Sequence, residues 1–106
     1  MSFTIMHRGG EMEEGDELMI PRLLEELDGP RDDEHPDVSV CDDESAWSIS
    51  AFQGGSLIFE NLDSSEFAPR HIVNVPRSEM TRAMVLLARG RLDELELMNW
   101  EPGYQS

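Results

Sequence analysis

Trp47 to Leu62, WSISAFQGGSLIFENL, constrains the fold of this chain more than any other stretch. On either side of Gly54-Gly55 the residues alternate apolar and polar with period two and are rich in aromatic and branched side chains, the pattern of two half-buried strands. A glycine pair between such strands can take the positive φ angles of a tight turn, so the stretch is predicted to form an antiparallel hairpin. With a two-residue turn flanked by Gln53 and Ser56, Trp47, Ile49, Ala51, Ile58, Glu60 and Leu62 share one face. Ser48, Ser50, Phe52, Leu57, Phe59 and Asn61 then share the other. The first face is the expected core side, where burial of Trp47, Ile49, Ile58 and Leu62 contributes roughly 1.5–3 kcal/mol each.

Other elements fall into place around that ribbon. Ser2 to His7 alternates and is ended by Gly9-Gly10, which predicts a first strand. Glu11 to Glu17 reads as an acidic connector. Ile20, Leu23, Leu24 and Leu27 recur at helical spacing behind Pro21, which suits a first helical turn, and Gly29-Pro30 stops that helix. Residues 30–37, PRDDEHPD, read as a surface loop, and Val38 and Val40 belong to a strand leading into the hairpin through Asp42-Asp43-Glu44. His71 to Val75 predicts another strand. Pro76 or Ser78 opens the strongest helix, whose stripe is Met80, Ala83, Met84 and Leu87 and which Gly90 closes. Leu92 to Trp100 is predicted to be a last strand, with Leu95 and Leu97 alternating against Glu94 and Glu96. The expected fold class is α+β: one domain over residues 1–106, with a largely antiparallel sheet of about five to six strands and two helices on one face.

At 106 residues the chain can bury roughly 65% of its unfolded surface, enough for one modest core. Its 23 acidic residues against 8 basic ones leave a net charge of −15. Residues 1–45 hold 15 of the acids and 3 of the arginines, so the charge is concentrated in the first half. Such a surface repels nucleic acid and anionic membranes and speeds encounter with a basic protein. Met1 to Arg8 is too short and mixed for a signal peptide, and the longest apolar run, Ala83 to Ala88, is too short to span a bilayer, so a cytoplasmic location is expected. A single cysteine, Cys41, rules out an intramolecular disulfide and a four-thiolate metal site.

No catalytic motif is present: there is no phosphate loop, dinucleotide fingerprint, nucleophile elbow or pair of metal-binding histidines on a helix. Asp32-Asp33-Glu34-His35-Pro36-Asp37 offers hard ligands, but Pro36 and the spacing fit no calcium loop, and a solvated charge run is the commoner meaning. Cys41, His71 and an acid would compose a nucleophile, base and orienter only if the fold joined them. The expectation is therefore no catalysis, no cofactor and no metal. A basic protein partner is expected at the acids in turns near the hairpin ends, Asp42, Asp43, Glu44, Asp63 and Glu66, with Glu60 inside the hairpin.

From Trp47 onward the chain resembles small immunity proteins encoded beside bacterial polymorphic toxins, in particular those paired with nucleic-acid deaminase toxins. The residues that carry the resemblance are a hairpin beginning at Trp47, a strand ending in Val75-Pro76, a helix closed by Gly90, and a final strand ending at Trp100. The resemblance implies a protein that binds a cognate toxin and occludes its active site without chemistry of its own. Two other classes stay open at this point: a small metal-assisted hydrolase, and an acidic regulatory or structural subunit of a larger complex.

Overall fold

Most of the alternating stretches form strands that pair into one sheet, and the computed structural model describes residues 2–64 and 66–104. The strands are β1 (Phe3–Met6), β2 (Met12–Glu14), β3 (Asp37–Asp42), β4 (Trp47–Phe52), β5 (Leu57–Asn61), β6 (Arg70–Ile72) and β7 (Glu101–Pro102). They form one seven-stranded sheet in the order β2-β1-β3-β4-β5-β6-β7, antiparallel at every pairing. The helices are α1 (Ile20–Glu25), α2 (Arg77–Ala88) and α3 (Leu92–Glu96), with single 3-10 turns at Glu17–Met19 and Glu26–Asp28 on either side of α1. The fold is α+β as expected, with one or two more strands and one more helix.

The central hairpin is present, but its register differs by one residue from the expected one. Phe52 N–H donates to Ser56 O at 3.0 Å and Gly55 N–H to Phe52 O at 3.0 Å, so the loop is the three residues Gln53-Gly54-Gly55. Gly55, at φ 92°, takes the left-handed position that such a loop requires. Ile49 therefore pairs with Phe59 and Ala51 with Leu57. A one-residue slip exchanges the faces of a strand. Leu57 and Phe59 join Ile49 and Ala51 in the core, whereas Ile58 and Glu60 point the other way and Leu62 is exposed. The turn is tied down on both sides, by Gln53 N–H to Pro36 O at 2.9 Å and Val75 N–H to Gly55 O at 2.7 Å.

The core lies between the sheet and the helical layer. Phe3, Ile5, Val38, Val40, Ile49, Ala51, Leu57 and Phe59 meet Ile20, Leu23, Leu24 and Leu27 from the first helical segment, Met80, Ala83, Met84 and Leu87 from α2, and Leu95 from α3. The α2 stripe is the one its spacing predicts, and Gly90, at φ 71°, closes the helix. Val85 and Leu86 are half-buried against the same core.

Two other segments depart from expectation. Leu92 to Trp100 is not a strand: Leu92 to Glu96 is α3, because the residues that turn inward are Leu92, Leu95 and Met98, a spacing of three, while Leu97 is 83% exposed. Trp100 anchors the end of this segment by donating its Nε1–H to Leu95 O at 2.7 Å. The acidic connector contains β2, which folds back on β1 through the Gly9-Gly10 turn, where Gly10 has φ 89°. All of β2 is exposed, so no buried alternation marked it as a strand. Its glutamates suit an edge, where charge discourages pairing with another chain. Strand β6 ends at Ile72, short of Val75, and Asn74 at φ 55° turns the chain toward α2.

Candidate protein-binding face

Because all three helices pack on one side, the other side of the sheet carries no helical layer. The register sends Met12 and Glu14, Thr4 and Met6, Asp37, Ser39 and Cys41, Ser48, Ser50 and Phe52, Ile58 and Glu60, His71 and Glu101 to this side. Its carboxylates are Glu14, Asp37, Glu60 and Glu101, and no arginine projects from it within a strand. Among the described residues the only arginine in a strand, Arg70, points to the helical side. There its guanidinium stacks 4.9 Å from the centroid of Phe59 and 5.7 Å from that of Trp47, and it pairs with Glu96.

The remaining arginines are mostly engaged by the helical layer. Arg77 pairs with Asp28 at 2.8 Å, Arg89 with Glu17 at 2.6 Å and Arg91 with Glu94 at 2.8 Å. Arg8 donates to the carbonyls of Glu26, Pro30 and His35 and so fixes the 29–36 loop. Charge is thereby partly sorted by side: near the helices Glu17, Asp28, Glu94 and Glu96 have arginine partners, whereas on the uncovered face Glu101 has only His71, at 3.7 Å, and Glu14, Asp37 and Glu60 have no ion-pair partner among the described residues.

The acids expected to meet a partner fall into two groups. Asp42 is buried, accepting from Ser45 Oγ at 2.7 Å and from Glu44 N at 3.3 Å, and it shapes the β3–β4 turn. That turn also holds Ala46 at φ 64°, and Asn61 Nδ2 donates to Ser45 O at 3.0 Å. Asp42 is thus part of the scaffold and is removed from the contact surface. Asp43 accepts from Thr4 Oγ at 2.7 Å and Ser2 Oγ at 2.9 Å, while Glu44, Asp63 and Glu66 are exposed and free to meet solvent or a partner. Asp42, Asp43 and Asp63 gather at one end of the sheet. Burial chiefly, and then their charges, push the Cys41 thiol up from its ordinary pKa.

Glu60 sits on the uncovered face and accepts a hydrogen bond from Tyr104 Oη at 2.7 Å, which raises the phenol's pKa by stabilising its protonated form. Tyr104 is brought there by the chain end: Gly103 N–H donates to Pro69 O at 2.8 Å, and Gly103 O accepts from His71 Nδ1 at 2.8 Å. Tyr104, Phe52, Ile58 and Ser56 enclose a cleft of about 210 Å³. Beside it lies half-buried Asp37, whose carboxyl is pushed above the ordinary aspartate range by burial and further by the charge of Glu60. Sequence reasoning missed Asp37, which it placed in the 30–37 loop, and it missed the tail. The signal for Ile58 and Phe52 was present in the alternation, but the expected register assigned Ile58 to the core.

Cys41 and His71 share this face on strands three positions apart, roughly 14 Å at the spacing of paired strands, so they cannot act as nucleophile and base. Among the described residues no three His, Cys, Asp or Glu side chains are gathered so as to hold a metal ion. Within the 32–37 run, Asp32 Oδ1 instead accepts from Glu34 N at 3.0 Å. No helix among the described residues is long and apolar enough to cross a membrane. No protein-family model matches the chain, and neither a curated protein nor a solved structure matches it at a significant level.

Proposed function

We propose that this protein is a non-catalytic binding protein of the bacterial cytoplasm that neutralises a basic partner by covering it, and that the partner is a toxin acting on nucleic acid. The observation that supports this reading best is the distribution of charge: an uncovered sheet face on which Glu14, Asp37 and Glu60 have no ion-pair partner among the described residues, next to half-buried Phe52 and Ile58. A toxin that binds nucleic acid must present cationic groups to phosphates, and a face of this kind complements such a groove in sign while adding apolar contact at its centre. The toxin itself comes from the sequence resemblance of the C-terminal half to immunity proteins, of whose four features the hairpin at Trp47 and the helix closed by Gly90 are formed, while the strand to Val75 stops at Ile72 and the final strand is helix α3.

The test is binding kinetics against the product of the adjacent gene, with rescue of cells expressing that product. Nanomolar binding together with rescue supports the reading. Absence of both, with turnover of any substrate by the isolated chain, removes it.

A further inference from the structure

We propose that the cleft between Tyr104 and the Phe52–Ile58 surface receives a long cationic side chain of the basic partner, whose aliphatic stem lies on Phe52 and Ile58 and whose charge meets Glu60 at one end of that surface, in the field of Asp37 at the other. This rests on the reading of the uncovered face as the one that meets such a partner, and it names the contact at its centre.

Geometry and charge point to this occupant independently. Phe52 and Ile58 lie on neighbouring strands with Ser50 paired opposite Ile58, so two apolar side chains stand beside a small one and leave a depression on the sheet. Tyr104 forms the far wall, held by the Gly103 backbone bonds. A neutral apolar guest would satisfy the walls but not the two ends of the surface, where Asp37 stands opposite Phe52 in the β3–β4 ladder and Glu60 follows Ile58 along β5 with its carboxylate at Tyr104 Oη. Neither acid has an arginine or histidine partner within ion-pair distance among the described residues. A group that is apolar along its stem and positive at its tip meets both requirements, as arginine and lysine side chains do. Tyr104 Oη is then a resident competitor, because its hydrogen bond occupies one oxygen of Glu60.

The proposal can be tested without the partner. The intact protein is titrated with acetyl-Gly-Arg-Gly-amide, with its lysine counterpart, and with the isosteric neutral citrulline peptide, and amide chemical shifts are followed by NMR. Saturable shifts centred on Phe52, Ile58 and Tyr104 are expected with the two cationic peptides and not with citrulline. The double variant Asp37→Asn, Glu60→Gln, which keeps shape and removes charge, should weaken binding on the order of tenfold. Tyr104→Phe keeps the wall and frees Glu60, so it should tighten binding a few-fold. Unsaturable shifts spread over the acidic first half, equal binding of the citrulline peptide, or a loss of affinity in Tyr104→Phe would overturn the proposal. Peptide binding here in a protein that fails to rescue would leave the cleft standing and remove the toxin. Rescue without peptide binding would place the partner's contact elsewhere and overturn the cleft.

Discussion

At the scale of single residues, the two glycines of the hairpin have different jobs. Gly55 holds a positive φ of 92°, whereas a Cβ at Gly54 would meet nothing within 4 Å and Gly54 has no left-handed φ. Gly55→Ala should therefore cost about 1–2 kcal/mol, and Gly54→Ala should be close to neutral. Urea midpoints of the two variants decide this, and equal losses would show that the turn is not the three-residue kind. Gly15 is constrained by space: a Cβ there would lie 2.3 Å from Cε2 of the buried Phe3 ring, while the backbone is held by Gly15 N–H to Phe3 O at 2.8 Å. Gly15→Ala should destabilise by about 1–3 kcal/mol through displacement of that ring. Adding Phe3→Leu should recover part of the loss, and an unchanged midpoint in Gly15→Ala alone would contradict the packing described. Neither constraint on position 15 nor the burial of Asp42 can be read from composition, because both depend on residues distant in the chain.

At the scale of elements, the edge strand β2 is fastened by a histidine clamp. His7 Nδ1 lies 2.5 Å from Glu26 Oε2 and Nε2 lies 2.7 Å from Glu13 Oε2, so one ring joins β1 to β2 and to the helical segment. Arg8 N–H also donates to Glu26 Oε1 at 3.1 Å. A neutral imidazole has one N–H and cannot donate to both carboxylates, and the bond to Glu26, followed by that to Glu13, raises the His7 pKa above 6.5. The sign follows from the raised value: the clamp's contribution to stability is complete below the unfolded pKa of about 6.5 and is lost as pH rises through the folded one. Stability measured by denaturant should fall across that interval, and Glu13→Gln should move the His7 titration, followed by NMR, to lower pH. A His7 midpoint at or below 6.5 in the unmodified protein would refute the clamp.

At the scale of the whole molecule, a net charge of −15 on one small domain governs encounter more than adhesion. Raising salt should slow association with a basic partner much more than it speeds dissociation, because exposed charges steer from beyond contact and are screened within about 10 Å at 0.1 M salt. Reversing the exposed acids Glu44, Asp63 and Glu66 to Lys should slow association at fixed salt and leave the fold intact. Asp42 is left out of that set, since a lysine there would replace a buried, hydrogen-bonded carboxylate. Stopped-flow association rates at two salt concentrations are the measurement, and a salt effect confined to dissociation would show that steering is not how this charge acts.

What the sequence by itself determined is what depends on local period and turn chemistry: the hairpin about Gly54-Gly55, the strand at Val38 and Val40, the α2 stripe from Met80 to Leu87 with its stop at Gly90, and the acidic balance. Period two locates a strand but does not fix its phase against a neighbour, so the choice between a two- and a three-residue loop waited on which pairing let Leu57 and Phe59 reach Ile49 and Ala51 in one core. Leu92 to Met98 fits both a strand and a short helix by pattern, and contact with the core selected the spacing of three. Strand β2 exists because the edge of β1 was open to it, a fact about pairing that its own exposed residues do not record. The candidate face is tertiary in the same sense: Asp37, Phe52, Ile58, Glu60 and Tyr104 span 68 positions of chain and meet only because three strands and the tail bring them to one side of the sheet, opposite the helices.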